Sequence, residues 1–159
     1  MEKKNFCFYG FLSLTLYIAS FFFYAFYDEG INSGIYGATC FMNGLVFLVP
    51  VILLDIFNLS MKFLWIIIWL ANPLYWLALY CYYRRRYNVG GNILLAAIVL
   101  GLLFLFVKDV HYGNVTTSSR VIGEKMLGYY LWLSSFFVLF IAMLKESLSL
   151  DCERKDITY

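Results

Sequence analysis

Long apolar runs separated by short polar stretches set the pattern of this chain. The clearest run covers residues 63–83 without a charged side chain and is closed by Arg84, Arg85 and Arg86. A helix of this length rises about 30 Å, which matches the hydrocarbon core of a bilayer. Because Lys and Arg are retained on the cytoplasmic side of short loops, the triplet predicts a transmembrane helix that enters from outside and ends inside.

Three further apolar runs fit the same orientation. Together with the first they predict transmembrane helices at about residues 5–27, 62–83, 91–108 and 127–145. With four spans both termini lie in the cytoplasm, and most of the twelve basic residues then fall on the inner side.

A fifth apolar run, at about residues 41–57, is too close to the second span for a simple assignment. If it crossed the membrane, the arginine triplet would lie outside, against the charge rule. We therefore predict a short interfacial helix at the outer face. The expected fold is an all-α integral membrane protein in one domain, with an outer loop at 109–126 and a cytoplasmic tail at 146–159.

Composition supports the membrane assignment. Of 159 residues, 63% are apolar and 14% are charged, against roughly 45–50% and 25% in soluble domains. The expected location is the inner (plasma) membrane, crossed several times. Such a short chain leaves no room for a soluble catalytic domain beside the predicted spans.

Asn72 and Pro73 are the strongest local signal, because a polar amide and a residue without a backbone N–H stand within an apolar run. The proline frees the carbonyl of Trp69 and bends the helix, while Asn72 can hydrogen bond to a neighbouring helix. Two interpretations stay open. The pair is a structural kink, or it is a coupling element that changes state.

Two other groups within the helices have candidate roles. Arg84, Arg85 and Arg86 are either a topology anchor against anionic lipid or a docking site for a partner. Ala97 and Gly101 stand four residues apart and form a ridge of small residues that permits close helix packing.

The predicted outer cap has charges of both signs, which indicates a solvated, salt-bridged surface. Its candidate residues are Asp55, His111, Arg120 and Glu124. No second His or outer Cys stands at ligand spacing from His111, so no metal site is predicted.

Motifs for chemistry are missing from the sequence. We find no nucleophile with a base, no phosphate loop and no dinucleotide fingerprint, and no charged residue falls in the centre of a predicted span. An enzyme or a coupled transporter is therefore not expected, no cofactor is expected, and no direct contact with nucleic acid is expected.

The run WLANPLYWLALY, a polar outer loop and the GYYLWLSS entry into the last helix resemble a group of small four-helix bacterial inner-membrane proteins without a known function. By architecture alone the chain is also similar to the membrane subunit of the Kiwa anti-phage system and to colicin-type immunity proteins. The aromatic-rich, charge-free helix faces and the ridge at Ala97 and Gly101 predict a homo-oligomer in the lipid bilayer. The likeness to the Kiwa membrane subunit implies a cytosolic protein partner.

The leading hypothesis is a non-enzymatic sensor or scaffold that oligomerises and engages a cytosolic partner through its inner loop and tail, in anti-phage defence if the Kiwa likeness holds. The alternative is an immunity protein that binds a pore-forming toxin within the bilayer. A small channel is the third hypothesis, although no predicted helix carries a polar stripe.

Overall fold

The computed structural model describes residues 2–29, 32–54, 67–107, 109–110 and 120–156, with side chains over residues 8–29, 32–46, 67–107 and 123–149. In these ranges the helices are α1 (Glu2–Ser20), α2 (Gly37–Leu54), α3 (Ala71–Tyr83), α4 (Tyr87–Leu103) and α5 (Leu127–Asp156). The strands are β1 (Tyr24–Asp28), β2 (Ser33–Tyr36), β3 (Asp109–Val110) and β4 (Arg120–Lys125). A 3-10 turn, Phe104–Phe106, continues α4.

The helices pack into a bundle in which α5 lies against α1 and α4, and α3 lies against α4. Aromatic side chains fill much of the interior, and Tyr17, Tyr75, Tyr82 and Phe136 are fully buried. Tyrosine in such a core needs a partner for its hydroxyl, because an unpaired polar group out of water is costly. The buried tyrosine hydroxyls therefore require hydrogen-bond partners within the core.

A four-stranded antiparallel sheet, called here the cap, stands at one end of the bundle in the order β2-β1-β4-β3. Its central strand β1 pairs Phe26 with Ile35 of β2 and with Lys125 of β4. The pairing shifts between Tyr24 and Phe26, so Ala25 and Phe26 are both buried where strict alternation would expose one of them.

Close backbone contacts join the cap to the bundle. The N–H of Met126 donates to the carbonyl of Ala25 at 2.9 Å, just before α5 begins. A Cβ atom at Gly128 would lie 2.6 Å from the carbonyl oxygen of Phe23 and 2.8 Å from that of Tyr24. Only glycine permits this approach, and the strand and the helix therefore meet without space between them.

The prediction of an all-α protein with four transmembrane helices is wrong. The described part of the chain contains the cap, and only two of its helical segments, Tyr87–Phe106 and Leu127–Ser149, are long and apolar enough to cross a membrane. The apolar part of α1, Phe8–Ser20, is shorter than the roughly 20 residues required. The predicted first helix extended too far because the aromatic residues of β1 continue its apolar run into the sheet.

Other element boundaries also differ from expectation. The helix predicted at 41–57 begins at Gly37 and ends at Leu54, and the expected outer loop 109–126 contains β3 and β4. Of the span predicted at 62–83, residues 62–66 lie outside the described residues and α3 begins at Ala71. Most of the tail expected at 146–159 belongs to α5, which continues to Asp156.

Candidate functional site

Asn72 and Pro73 stand in the first turn of α3, just after a helical segment at residues 67–69 and the turn at Leu70. Pro73 has no N–H to offer the carbonyl of Trp69, and the side-chain Nδ2 of Asn72 donates to that oxygen at 3.1 Å instead. The first turn of a helix tolerates proline, since its N–H groups have no partner within the helix. The Asn72 side chain thus supplies the hydrogen bond that Pro73 cannot donate.

The other end of the Asn72 amide joins two further helices. Its Oδ1 accepts hydrogen bonds from the Tyr17 hydroxyl at 2.8 Å and from the Trp132 indole N–H at 2.9 Å. Asn72 is only 7% exposed. The Asn72 node, defined as Asn72, Tyr17, Trp132 and the Trp69 carbonyl, therefore connects α1, α3 and α5 through one buried side chain.

A second polar cluster lies beside the node. The Ser13 hydroxyl donates its single hydrogen to the carbonyl of Ser135 at 2.8 Å, so its 2.8 Å contact with Tyr75 has the Tyr75 hydroxyl as donor. The Tyr75 ring stacks on Tyr17 at 4.5 Å and on Phe136 at 5.0 Å between centroids. The two clusters therefore form one continuous layer across the same three helices.

The arginine triplet forms the turn between α3 and α4, called here the basic turn. The N–H of Arg86 donates to the carbonyl of Cys81 at 2.9 Å and that of Arg85 to the carbonyl of Tyr82 at 3.0 Å, the pattern of a Schellman cap. Arg85 has φ 56°, in the left-handed region where glycine is usual. An arginine at this position costs about 1 kcal/mol in backbone strain.

Exposed cations and aromatic rings surround the basic turn. All three arginine side chains are exposed, and the Arg84 guanidinium lies 5.8 Å from the centroid of the Tyr80 ring. On α5, the Lys145 ammonium donates to the Tyr9 hydroxyl at 3.2 Å. The exposed arginines and Lys145 make this end of the bundle positively charged, while the node is buried at the other end of α3.

The ridge of small residues on α4 is turned into the bundle. Ala97 and Gly101 are buried, and a Cβ at Gly101 would lie 3.0 Å from a methyl carbon of Leu133 on α5. The Tyr129 hydroxyl also donates to the carbonyl of Gly101 at 3.0 Å. The close approach that the ridge permits is therefore made within the chain.

The predicted outer-cap residues are not brought together in the described structure. Asp55 and His111 lie outside the described residues, Arg120 is the first residue of β4 and Glu124 is exposed near its end. Where side chains are described, no three His, Cys, Asp or Glu residues lie close enough to hold a metal ion.

A nearby cation, Lys125, is held by the protein. Its ammonium donates to the carbonyl of Val107 at 2.9 Å and lies 4.5 Å from the centroid of the Phe104 ring. Burial lowers the pKa of Lys125, because a charged ammonium loses hydration there.

A pocket opens where the cap meets the bundle, directly above the Asn72 node. Its cavity volume is about 70 Å³, and the pocket is partly open to the outside. Apolar and aromatic side chains make most of its wall, and its glycines are Gly37 and Gly128, where backbones meet. This junction pocket is lined by Ser20, Phe21, Ala25, Phe26, Gly37, Cys40, Phe41, Ile68, Trp69, Asn72, Phe104, Gly128, Tyr129 and Trp132.

Sequence reasoning found the amide of the node but missed its partners. The sequence assigned no role in the core to Trp132 or Tyr129, yet Trp132 reaches Asn72 and Tyr129 is buried. Tyr17 carried no recognisable signal, because one tyrosine in an aromatic-rich helix resembles many others. The interruption of an apolar helix by a polar group points to a hydrogen-bonding partner without identifying it.

No family model, curated protein or solved structure matches this chain. The likeness to four-helix inner-membrane proteins, to the Kiwa membrane subunit and to immunity proteins therefore stays a prediction. The node, the basic turn and the pocket are the features of the described structure that bear on function.

Proposed function

We propose that this chain is a non-enzymatic, multi-pass inner-membrane protein that senses the state of the outer side of the membrane and presents its basic turn to a cytosolic partner. At least α4 and α5 cross the bilayer in this proposal, with the cap outside and the basic turn inside. The orientation follows the retention of positive charge in the cytoplasm.

One observation carries the sensor proposal, which is the position of α3. The helix begins at the Asn72 node, below the pocket and the cap, and ends at the basic turn, thirteen residues or roughly 20 Å away. A packed helix moves as a rigid element, and a change at the cap end would therefore shift the basic turn.

The conformation of Arg85 supports a contact role for the basic turn. Glycine would adopt its positive φ without strain, so the arginine is a poor choice for folding alone. Strained positions that persist are often functional, and an exposed guanidinium offers a planar donor for carboxylate or phosphate. We assign Arg84, Arg85 and Arg86 to contact with an acidic surface of a soluble protein.

The proposal does not require a second copy of the chain. The ridge at Ala97 and Gly101 suggested self-association, but within one chain it is already occupied by α5. A homo-oligomer stays a prediction, and its mass in nanodiscs would test it.

Orientation is the first property to test. Single cysteines placed at Glu124 in the cap and at Arg84 in the basic turn, in a chain whose native cysteines are replaced by serine, report the two ends. An impermeant maleimide labels the cap position in intact cells and the turn position only after permeabilisation. Labelling of the turn in intact cells would overturn the proposal.

Photo-crosslinking in living cells tests the partner. Val89 and Val99 are both exposed on α4, at 54% and 50%, and differ mainly in their distance from the basic turn. A photoreactive residue at 89 captures a soluble protein, the matched position 99 captures none, and replacing Arg84, Arg85 and Arg86 by Gln abolishes the adduct at 89. Equal capture at both positions would show that the basic turn is not a docking site.

A further inference from the structure

The junction pocket offers almost no hydrogen bonds to an occupant, because the polar side chains of its wall are bonded to the protein. The Trp69 indole N–H donates to the carbonyl of Phe41 at 3.1 Å, and the Ser20 hydroxyl donates to the carbonyl of Tyr17 at 2.6 Å. Tyr129 donates to Gly101, and Trp132 donates to Asn72. Water and polar metabolites lose hydrogen bonds on entering such a space, whereas an alkyl chain loses none.

The position of the pocket indicates where an alkyl chain would come from. Around its level α1 ends, α4 ends and α5 begins, and several of the exposed side chains there are aromatic. Phe22 is 74% exposed and Phe106 is 80% exposed, while Phe23 and Tyr130 are also exposed. Tyr130 fits the boundary between lipid headgroups and acyl chains, where Tyr and Trp are enriched, and the exposed Phe side chains fit the apolar side of that boundary.

The distance to the basic turn fits this placement. Tyr87–Phe106 is a segment of 20 residues, which rises about 30 Å from the basic turn to the exposed Phe106. The two levels are therefore one hydrocarbon thickness apart, and the pocket lies at the height where an acyl chain begins.

We infer that the junction pocket is a lipid site that holds the acyl chain of a membrane phospholipid. The chain enters from the aromatic boundary and lies against Phe26, Ile68 and Trp69, above the amide of Asn72. Its headgroup stays at the interface, outside the pocket. This inference rests on the membrane crossing in the proposed function, but not on the sensor role or on a cytosolic partner.

Filling the pocket from its wall tests the inference. Cys40 lines the pocket, whereas the preceding Thr39 is exposed on the same helix and does not. Cys40→Trp occupies the space, and Thr39→Trp is the matched control. In the full-length protein purified in mild detergent, native mass spectrometry detects one retained phospholipid for wild type and Thr39→Trp. Cys40→Trp lowers retention about tenfold, as expected when about two methylene groups are displaced.

A second measurement needs no substitution. The wild-type protein is placed in nanodiscs that contain a phosphatidylethanolamine with a photoreactive group in the middle of its acyl chain, and the adducts are mapped by residue. Adducts on buried wall residues such as Ile68 and Phe26 support the site. Adducts confined to exposed residues such as Phe22 and Tyr130 would overturn it, as would full lipid retention in a folded Cys40→Trp protein.

Discussion

The two ends of α3 solve the problem of polar groups in an apolar protein in different ways. At its start, Asn72 is buried and its amide is matched to one tyrosine, one indole and one carbonyl. At its end, three arginines are exposed in a turn that adopts a strained conformation. Buried hydrogen bonds stabilise the first end, whereas the second end exposes positive charge to its surroundings.

This difference separates structural from functional evidence. A buried and fully paired amide is explained by the stability that it provides, because each unpaired group would cost about 1–3 kcal/mol. An exposed arginine with a positive φ makes the turn less stable than glycine would, because glycine adopts this conformation without strain. The basic turn is therefore the stronger indication of a partner, and the node is the stronger indication of a rigid connection.

The largest expected effect is at the node. Asn72→Leu removes the acceptor of the Tyr17 and Trp132 hydrogen bonds and the side-chain donor to the Trp69 carbonyl, and it lowers the free energy of unfolding by about 3 kcal/mol. Asn92→Leu, at an exposed position of α4, is the control and changes stability little. Thermal unfolding in the same detergent compares the two. Equal midpoints would mean that the buried amide adds nothing to stability.

A smaller effect of opposite signs is expected at two adjacent glycines near the basic turn. A Cβ at Gly90 would lie 2.9 Å from both the Cys81 Cβ and the Met143 Cε, whereas a Cβ at Gly91 meets nothing within 4 Å. Gly90→Ala therefore destabilises by about 1–2 kcal/mol through overpacking. Gly91→Ala stabilises by up to about 1 kcal/mol, because alanine favours the helix. Denaturant titration in detergent measures both, and a shift of the same sign would refute the packing argument.

At the basic turn itself, two substitutions of Arg85 separate strain from charge. Arg85→Gly removes both and raises the free energy of unfolding by about 1 kcal/mol. Arg85→Gln removes only the charge and leaves stability near that of wild type. Both weaken binding of the partner captured at position 89 to a similar extent. If only Arg85→Gly weakened it, the geometry of the turn and not its charge would be what the partner recognises.

The smallest effect is the coupling between Ser13 and Tyr75. Their hydrogen bond of 2.8 Å joins α1 to α3 in the layer beside the node. A double-mutant cycle with Ser13→Ala and Tyr75→Phe is expected to give a coupling free energy of about 0.6 kcal/mol, the usual value between membrane helices. A coupling near zero would mean that ring stacking, and not this bond, holds the layer together.

The sequence allowed some of these features to be predicted. The long apolar runs at 91–108 and 127–145 correspond to α4 and α5, which contain the two helical segments of the described residues that are long and apolar enough to cross a membrane. The loss of a partner for the Trp69 carbonyl followed from Pro73 alone, since the missing N–H is a property of the residue. The small ridge at Ala97 and Gly101 also indicated a close helix contact, although not which helix would supply it.

The cap could not be foreseen by the same reasoning, for a physical reason. Its central pairing joins Phe26 to Lys125, and no local pattern records contacts between strands so far apart in sequence. A local hairpin signal did exist. The aromatic residues of β1 and β2 flank a turn that contains Asn32, which is typical of paired strands, but the high apolar content favoured a longer helix.

Because β1 pairs with β4, the cap can close only late in the synthesis of the chain. The first strand leaves the ribosome long before β4, and until then the edge of β1 that β4 will cover has no partner. Folding of the helices that precede β4 and closure of the cap are therefore separate events. A nascent chain arrested before residue 120 would carry an open sheet edge, which makes the interval before release the period when quality-control proteases have most access to it.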